Sequence, residues 1–172
     1  QQIELAKGFA ELFRSIEDYE RCGQQVALLN EWSEGKGELR LQLLLFDLAL
    51  REKDTGKLES ALQRIRKIEG EGPLWLVGKA TLLAIQANGD TPGPLAEALE
   101  YLSTAATTRP TWHRISRLSA EINDSAGKRD VAVRHYLDAI RLGDRDPQII
   151  SRCVELLSQA RRFVEADQVI RH

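Results

Sequence analysis

Three alanines, Ala98, Ala132 and Ala166, recur at an interval of 34 residues, and this interval constrains the fold more than any other feature of the chain. The same step relates further apolar positions, namely Leu102, Tyr136 and Ile170, and also Ala105 and Ala139. A fixed period of this size is typical of arrays in which each short repeat buries its apolar face against its neighbours. A period of about 34 residues indicates two helices in each repeat. The sequence therefore predicts an all-α array of helix pairs.

Each copy has the same internal order of residue types. The leading residues are Gly56, Gly93, Gly127 and, in the last copy, Arg161. An alanine follows each of them five residues later, and a large apolar residue follows nine residues later. Residues four apart line one stripe of a helix, so we expect each alanine to lie where another helix crosses closely. We expect the leading glycines to occupy tight turns with positive φ, which costs glycine little.

This order of helix, short turn and helix in about 34 residues resembles the tetratricopeptide repeat (TPR). The resemblance implies an all-α, right-handed superhelical solenoid of antiparallel helix pairs. The tandem repeats are predicted over 38–172, with copies at about 39–72, 73–110, 111–146 and 147–172. Residues 1–37 fit the period poorly and are interpreted as a divergent N-terminal helix pair, at about 2–16 and 18–32. We expect one continuous solenoid domain that is part of a longer protein.

Composition and motifs favour a binding function over catalysis. The chain has 24 basic and 26 acidic residues and a net charge of −2, whereas nucleic-acid-binding domains usually carry a basic stripe. No apolar run approaches the roughly 18 residues that a membrane span needs. No nucleotide-binding, hydrolase or zinc-protease motif occurs, so we predict no enzyme activity, no cofactor and no metal. His113 is expected to be an exposed residue at a helix start, and His135 to point outward.

The two cysteines, Cys22 and Cys153, are 131 residues apart, and a linear stack would place them in different repeats. They are interpreted as small buried residues that form no disulfide. Unpaired cysteines favour a reducing compartment such as the cytoplasm.

The tryptophans divide into two groups. Trp75 and Trp112 each follow a proline by two residues, and we expect them to hold the start of a helix against the preceding repeat. Trp32 lies beside a glycine-rich stretch, where an exposed tryptophan would be a candidate interface anchor.

The resemblance also implies that the first helix of each pair lines a concave groove where peptides or partner proteins bind. In the first full repeat this face carries Leu43, Phe46 and Leu50. In the later repeats it carries Arg114, Arg117, Glu121 and Asp124, and then Gln148, Ser151 and Glu155. The apolar trio forms either a groove floor or a surface that residues 1–32 cover. The charged residues form either a binding face or a solvated surface. They do not match the lysine and asparagine pattern with which some TPR domains grip a terminal carboxylate.

The predicted function is a protein–protein interaction scaffold that binds a peptide or partner protein in its groove. The alternative is a structural spacer or oligomerisation arm of a larger protein, with no ligand in the groove. The last helix presents Phe163, Ala166, Val169 and Ile170, so we expect this end either to be covered by further chain or to pair with a second copy as a homodimer.

Overall fold

The computed structural model describes residues 6, 8–10, 12, 18–31, 39–87 and 92–171, and these residues form helices joined by turns, with no strand among them. The first described residues, 6, 8–10 and 12, are helical. The helices that follow are α1 (Tyr19–Glu31), α2 (Leu39–Glu52), α3 (Thr55–Glu69), α4 (Pro73–Gln86), α5 (Pro92–Thr108), α6 (His113–Ser125), α7 (Arg129–Arg141), α8 (Pro147–Gln159) and α9 (Phe163–Arg171). Trp32 and most of the predicted helix at 2–16 lie outside the described residues.

The chain divides into two compact units, Gln1–Gly78 and Lys79–His172, and the division falls inside α4. In the N-terminal unit, α1 packs against α2, and α2 packs against α3. The core between α1 and α2 contains Cys22, Val26, Leu29 and Leu41, with Leu44, Leu45 and Leu48 packed against it. The predicted second helix of the divergent segment therefore exists as α1. The repeat boundaries themselves remain a prediction.

In the C-terminal unit, each helix from α5 to α9 packs against the next one along the chain. Its core joins the last two helix pairs in one cluster of buried side chains, which includes Ala120, Ala132, Tyr136, Cys153, Leu157 and Ala166. Turns of a few residues join α6 to α7 and α8 to α9, and short turns force neighbouring helices to run antiparallel. The all-α architecture of antiparallel helix pairs predicted from the 34-residue interval is confirmed.

The repeated alanines are buried in every copy. Ala98 and Ala132 are fully buried, and Ala61 and Ala166 are 3% and 5% exposed. A side chain larger than a methyl group at these positions would displace a neighbouring helix, because protein interiors are packed as closely as organic crystals. This burial agrees with the prediction that the repeated alanines lie where helices cross.

The prediction for the leading glycines is right in only one copy. Gly127 has φ of 72°, and Arg161, at the equivalent place in the last copy, has φ of 58°. Gly56 and Gly93 are instead the second residues of α3 and α5, and they have no positive φ. The reason is that α3 and α5 begin about one turn earlier: Ala61 is the seventh residue of α3, whereas Ala132 is the fourth residue of α7. The extra turn moves the glycine into the helix.

Four helices end with the same hydrogen-bond pattern around a residue of positive φ. These residues are Lys53, Gly127, Gly143 and Arg161. After α6, Gly127 N donates to Asp124 O at 2.9 Å and Lys128 N donates to Asn123 O at 2.8 Å. After α8, Arg162 N donates to Leu157 O at 2.8 Å in the same way. This is the Schellman motif, which pairs carbonyl groups that the last helical turn leaves without partners.

Aspartates and prolines start several of the helices. The Asp54 carboxylate accepts a hydrogen bond from Lys57 N at the start of α3, and the Asp146 carboxylate accepts one from Gln148 N at the start of α8. Both are N-caps, which pair backbone amides that the first turn leaves without partners. Pro147 is the first residue of α8, a position where the missing amide hydrogen of proline costs nothing.

Candidate interaction surface

Arg117 lies at the centre of the charged face of α6. Its Nε atom donates to Glu121 Oε1 at 3.0 Å, one turn further along the same helix. Its Nη1 atom lies 2.8 Å from Asp146 Oδ2, in the turn before α8. The guanidinium group therefore connects α6 to the start of α8. Planar guanidinium groups suit such double contacts, because their donors have fixed directions.

A second ion pair joins α6 to α8 directly. Arg152 donates to both carboxylate oxygens of Asp124, from Nε at 2.7 Å and from Nη2 at 3.0 Å. Arg152 Nη1 also donates to Glu155 Oε2 at 2.6 Å. These hydrogen bonds, first those to Asp124, raise the pKa of Arg152 further above its ordinary value. The Asp124 side chain is only 12% exposed, so the pair is better shielded from water than an ordinary surface ion pair.

Tyr136 of α7 extends this network inward. Its hydroxyl donates to Asp124 Oδ2 at 3.4 Å, while its ring lies in the core with only 3% of the residue exposed. Burial, with the nearby Asp124 carboxylate, raises the pKa of the phenol, so the hydroxyl remains a donor at neutral pH. Tyr136, which the repeat period predicts to be a packing residue, therefore also donates a hydrogen bond to Asp124 of the charged face.

A buried carboxylate fixes the turn before α8. Asp144 is 3% exposed, and its Oδ1 atom accepts a hydrogen bond from Asp146 N at 3.0 Å. Its Oδ2 atom lies 3.4 Å from His113 Nδ1, at the first residue of α6. His113 starts the helix as predicted, but its Nδ1 atom faces this buried acid instead of solvent. His135 also differs from its prediction, because it is half-buried and desolvation lowers its pKa.

The predicted residues of the charged face fall on the two helices that the network joins. Arg114, Arg117, Glu121 and Asp124 are half-buried on α6. Gln148, Ser151 and Glu155 are exposed on α8. The sequence did not assign Arg152 or the turn aspartates to this face. The opposite charges of Asp124 and Arg152 are visible in the sequence, but their contact is not, because it forms only when α6 and α8 pack together.

The three apolar residues predicted for the groove face of α2 differ in their exposure. Leu43 and Leu50 are half-buried, whereas Phe46 is only 3% exposed. Phe46 lies against Gly78 of α4, where an added methyl group would be 3.5 Å from its ring and 2.8 Å from Leu62 Cδ1. Close approach of α4 at this glycine covers the ring. Phe46 is therefore a core residue and not, as predicted, part of a surface that a partner contacts. The helix that covers its ring is α4, which is not the segment 1–32 of the alternative prediction.

A cavity of about 590 Å³ opens between α2 and α3 in the N-terminal unit. Its apolar lining comes from Leu45, Leu48, Ala49 and Ala61, and charged groups also line it. Two of these groups are paired with each other, since Lys57 Nζ donates to Glu52 Oε2 at 2.6 Å. The cavity lies on the side of α2 that packs towards α1, and not beside Leu43 and Leu50.

The tryptophans contact arginines. Trp75 is 8% exposed, and the guanidinium carbon of Arg66 lies 5.2 Å from the centre of its ring. The backbone amide of Trp75 donates to Glu69 Oε1 at 2.7 Å, which ties the first turn of α4 to the end of α3. Arg109 lies over the Trp112 ring at 5.5 Å. Trp75 therefore holds a helix start against the preceding helix, as its spacing from Pro73 predicts.

Both cysteines, Cys22 and Cys153, are buried thiols. Cys22 Sγ donates to Ala10 O at 3.3 Å, and burial raises the pKa of the Cys153 thiol to about 11. Within the described part of the chain, no group of three or more histidine, cysteine or acidic side chains is placed to hold a metal ion. Among the helices described, none is both long and apolar enough to cross a bilayer.

Antiparallel helix pairs with buried alanines at Ala98, Ala132 and Ala166, 34 residues apart, define a TPR-like helical-repeat fold. Among solved structures, the chain is similar to PilF of Pseudomonas aeruginosa, with a TM-score of 0.67 and 16% identity over 98% of this chain and 71% of that one. It is also similar to MamA of Desulfovibrio magneticus RS-1, with a TM-score of 0.62 and 12% identity over 99% of this chain and 92% of that one. Another MamA structure gives a TM-score of 0.56 at 12% identity, over 99% and 88% of the two chains. PilF and MamA are TPR proteins, so the resemblance in fold is confirmed. No family model matches the sequence, and no curated protein matches it significantly.

Proposed function

We propose that the chain is a protein–protein interaction scaffold and that the face shared by α6 and α8 is its contact surface for a peptide or partner protein. The observation that carries this proposal is the ion pair between Asp124 and Arg152, at 2.7 and 3.0 Å, which joins these two helices. Side chains held in place lose little conformational freedom when a partner binds, so such a surface is preorganised. A TPR-like fold supports the same function in general terms.

The charges of this face favour a basic partner segment. Four arginines, Arg114, Arg117, Arg145 and Arg152, stand against five acidic residues, Glu121, Asp124, Asp144, Asp146 and Glu155. The face therefore has a net charge of 4 − 5 = −1 when His113 is neutral. Complementary charge guides the approach of a partner and excludes like-charged ones. Ser151, Gln148 and Glu155 are exposed beside the network and are the residues that a bound segment would contact first.

A photo-crosslinking amino acid placed at Ser151 tests this proposal. In an extract of the native cell, we expect it to capture protein segments rich in lysine and arginine, identified by mass spectrometry. The matched control carries the same group at Gln168, which is also exposed but lies on α9, the second helix of its pair. Capture of the same segments from both positions, or capture that ignores their charge, would contradict the proposal.

The second candidate function, a structural spacer or oligomerisation arm, is favoured by one observation. The charged side chains of α6 and α8 pair with each other within the chain, so a ligand is not needed to balance them. Under this alternative, crosslinking from Ser151 yields no specific segment, and loss of the Asp124–Arg152 pair changes only stability. Binding measured on Asp124→Asn and Arg152→Gln variants distinguishes the two functions. Neither function requires a catalytic group.

A further inference from the structure

The face shared by α6 and α8 carries two glutamates at equivalent places. Glu121 and Glu155 are 34 residues apart, so they occupy the same position in consecutive first helices. Their side chains are 40% and 53% exposed. Each is held by an arginine of its own helix, since Arg117 Nε donates to Glu121 Oε1 at 3.0 Å and Arg152 Nη1 donates to Glu155 Oε2 at 2.6 Å. The two carboxylates are therefore accessible acceptors in fixed positions.

Each of these arginines is shared with a second carboxylate. In addition to its glutamate, Arg152 contacts Asp124 and Arg117 contacts Asp146. One guanidinium group offsets one carboxylate, so each of these two groups of contacting side chains keeps a charge of 1 − 2 = −1. The two aspartates are less exposed than the glutamates, at 12% and 30%. A cation that approaches from solvent therefore meets the glutamates first.

A buried carboxylate oxygen adds to the acidic excess beside Arg117. Asp144 is 3% exposed, and its Oδ2 atom accepts no hydrogen bond from the residues that the structure describes. This oxygen lies 3.4 Å from His113 Nδ1 and 3.9 Å from Arg117 Nη1. The Arg145 guanidinium donates instead to the backbone oxygens of Ile140 and Asp144. A buried acceptor without a hydrogen bond is costly, so this end of the face favours an added positive charge.

The spacing of the two glutamates limits what can bind to both. Helices α6 and α8 lie side by side, as the hydrogen bonds between Arg152 and Asp124 show. Equivalent positions on packed helices are roughly 8–10 Å apart. In a polyproline II segment, residues three positions apart point to the same side and are separated by about 9 Å. Adjacent residues are only about 4 Å apart.

We propose that the segment bound at the face of α6 and α8 is a polyproline II segment with two basic residues three positions apart, and that Glu121 and Glu155 each accept one of them. This inference rests on the proposed function and adds the conformation and charge spacing of the ligand. The arginines position the two glutamates, and the basic residues of the ligand offset the negative charge that remains around each arginine.

Two synthetic peptides of identical composition test the proposal. The first contains Lys-Pro-Pro-Lys between two Pro-Pro flanks, and the second contains Lys-Lys between two Pro-Pro-Pro flanks. In chemical-shift titrations of the full chain at low salt, the first peptide should bind at least about fivefold more tightly, because only its two lysines reach both glutamates at once. Glu121→Gln and Glu155→Gln should each reduce this preference to less than about twofold. The matched control is Glu100→Gln, at an exposed position of α5, which should keep the preference.

The outcomes separate this inference from the proposed function. Equal binding of the two peptides to the wild-type chain, or a preference that survives Glu121→Gln and Glu155→Gln, would overturn the charge spacing alone. Absence of binding by both peptides would overturn the spacing and also the basic partner of the proposed function. Circular dichroism melts verify that the variants fold, which we expect because the substituted side chains are partly or fully exposed.

Discussion

At the scale of single residues, burial separates side chains that the sequence groups together. Phe46 and Leu50 are four apart on α2 and share one face by spacing alone, yet only Phe46 is buried. The difference comes from Gly78 of α4, because a Cβ atom at this position would lie only 3.5 Å from the Phe46 ring. One face of a helix can therefore contain both core residues and surface residues, depending on whether a neighbouring helix packs against each of them.

Phe46→Ala should lower the free energy of unfolding by about 3–5 kcal/mol, because a buried aromatic ring is lost and a cavity remains. Leu50→Ala is the control, and it should cost less because Leu50 is half-buried. Urea denaturation measures both. Equal losses for the two variants would contradict the packing of Phe46 against α4.

Asp146→Asn should make stability less sensitive to acid. The hydrogen bond from Gln148 N and then the Arg117 guanidinium lower the pKa of Asp146 below its ordinary value of 3.8. A lowered folded-state pKa stabilises the protein above that ordinary value, and the contribution is lost as pH falls through the folded-state pKa. Asparagine keeps the N-cap acceptor but does not titrate.

Urea denaturation between about pH 5 and pH 3 measures this effect. The wild-type chain should lose more stability over this range than the variant does. Other acidic residues with lowered pKa values, such as Glu165, are the same in both proteins and cancel in the comparison. Identical pH profiles would contradict a lowered pKa of Asp146 in the folded chain.

At the scale of helices, the positions of the helix ends depend more on backbone geometry than on the 34-residue period. Lys53, Gly127, Gly143 and Arg161 all end helices with positive φ, although only two of them are glycine. Lysine and arginine in this conformation carry a steric cost that glycine avoids. The hydrogen bonds of the Schellman motif offset that cost.

Arg161→Gly should therefore stabilise the chain by about 0.5–1 kcal/mol, through relief of the left-handed backbone strain at the end of α8. Gly127→Ala, at the equivalent end of α6, should destabilise it by about 1 kcal/mol for the same reason. Thermal melts of the two variants measure both changes. Destabilisation by Arg161→Gly would mean that the arginine side chain contributes more than its backbone costs.

Helix ends also show what the sequence could and could not predict. Ala98, Ala132 and Ala166 identify the crossing points, because close packing tolerates only a small residue there. The same period places Gly56 and Gly93 in turns, but the first turns of α3 and α5 begin earlier and include them. A period records which positions pack, whereas a helix boundary depends on local caps such as Asp54.

For the whole molecule, the fold follows from the repeat and the interaction surface follows only in part. The period predicts helix pairs, and the similarity to PilF and MamA at TM-scores of 0.56 to 0.67 agrees with it. The charged residues of α6 could be selected in advance, from the resemblance to TPR repeats. The pair between Asp124 and Arg152 could not, because two residues 28 positions apart meet only after the helices have packed.

Charge reversal on α8 tests the proposed interaction surface most directly. With the segment captured from Ser151 as ligand, we expect Glu155→Lys to weaken binding by about tenfold and to reduce its dependence on salt, because a basic ligand meets an added positive charge. Glu100→Lys makes the same charge change at an exposed position of α5 and should leave the affinity within about twofold of wild type. Calorimetric titration at two salt concentrations measures both effects. Equal affinities for Glu155→Lys and Glu100→Lys would contradict binding at the face of α6 and α8.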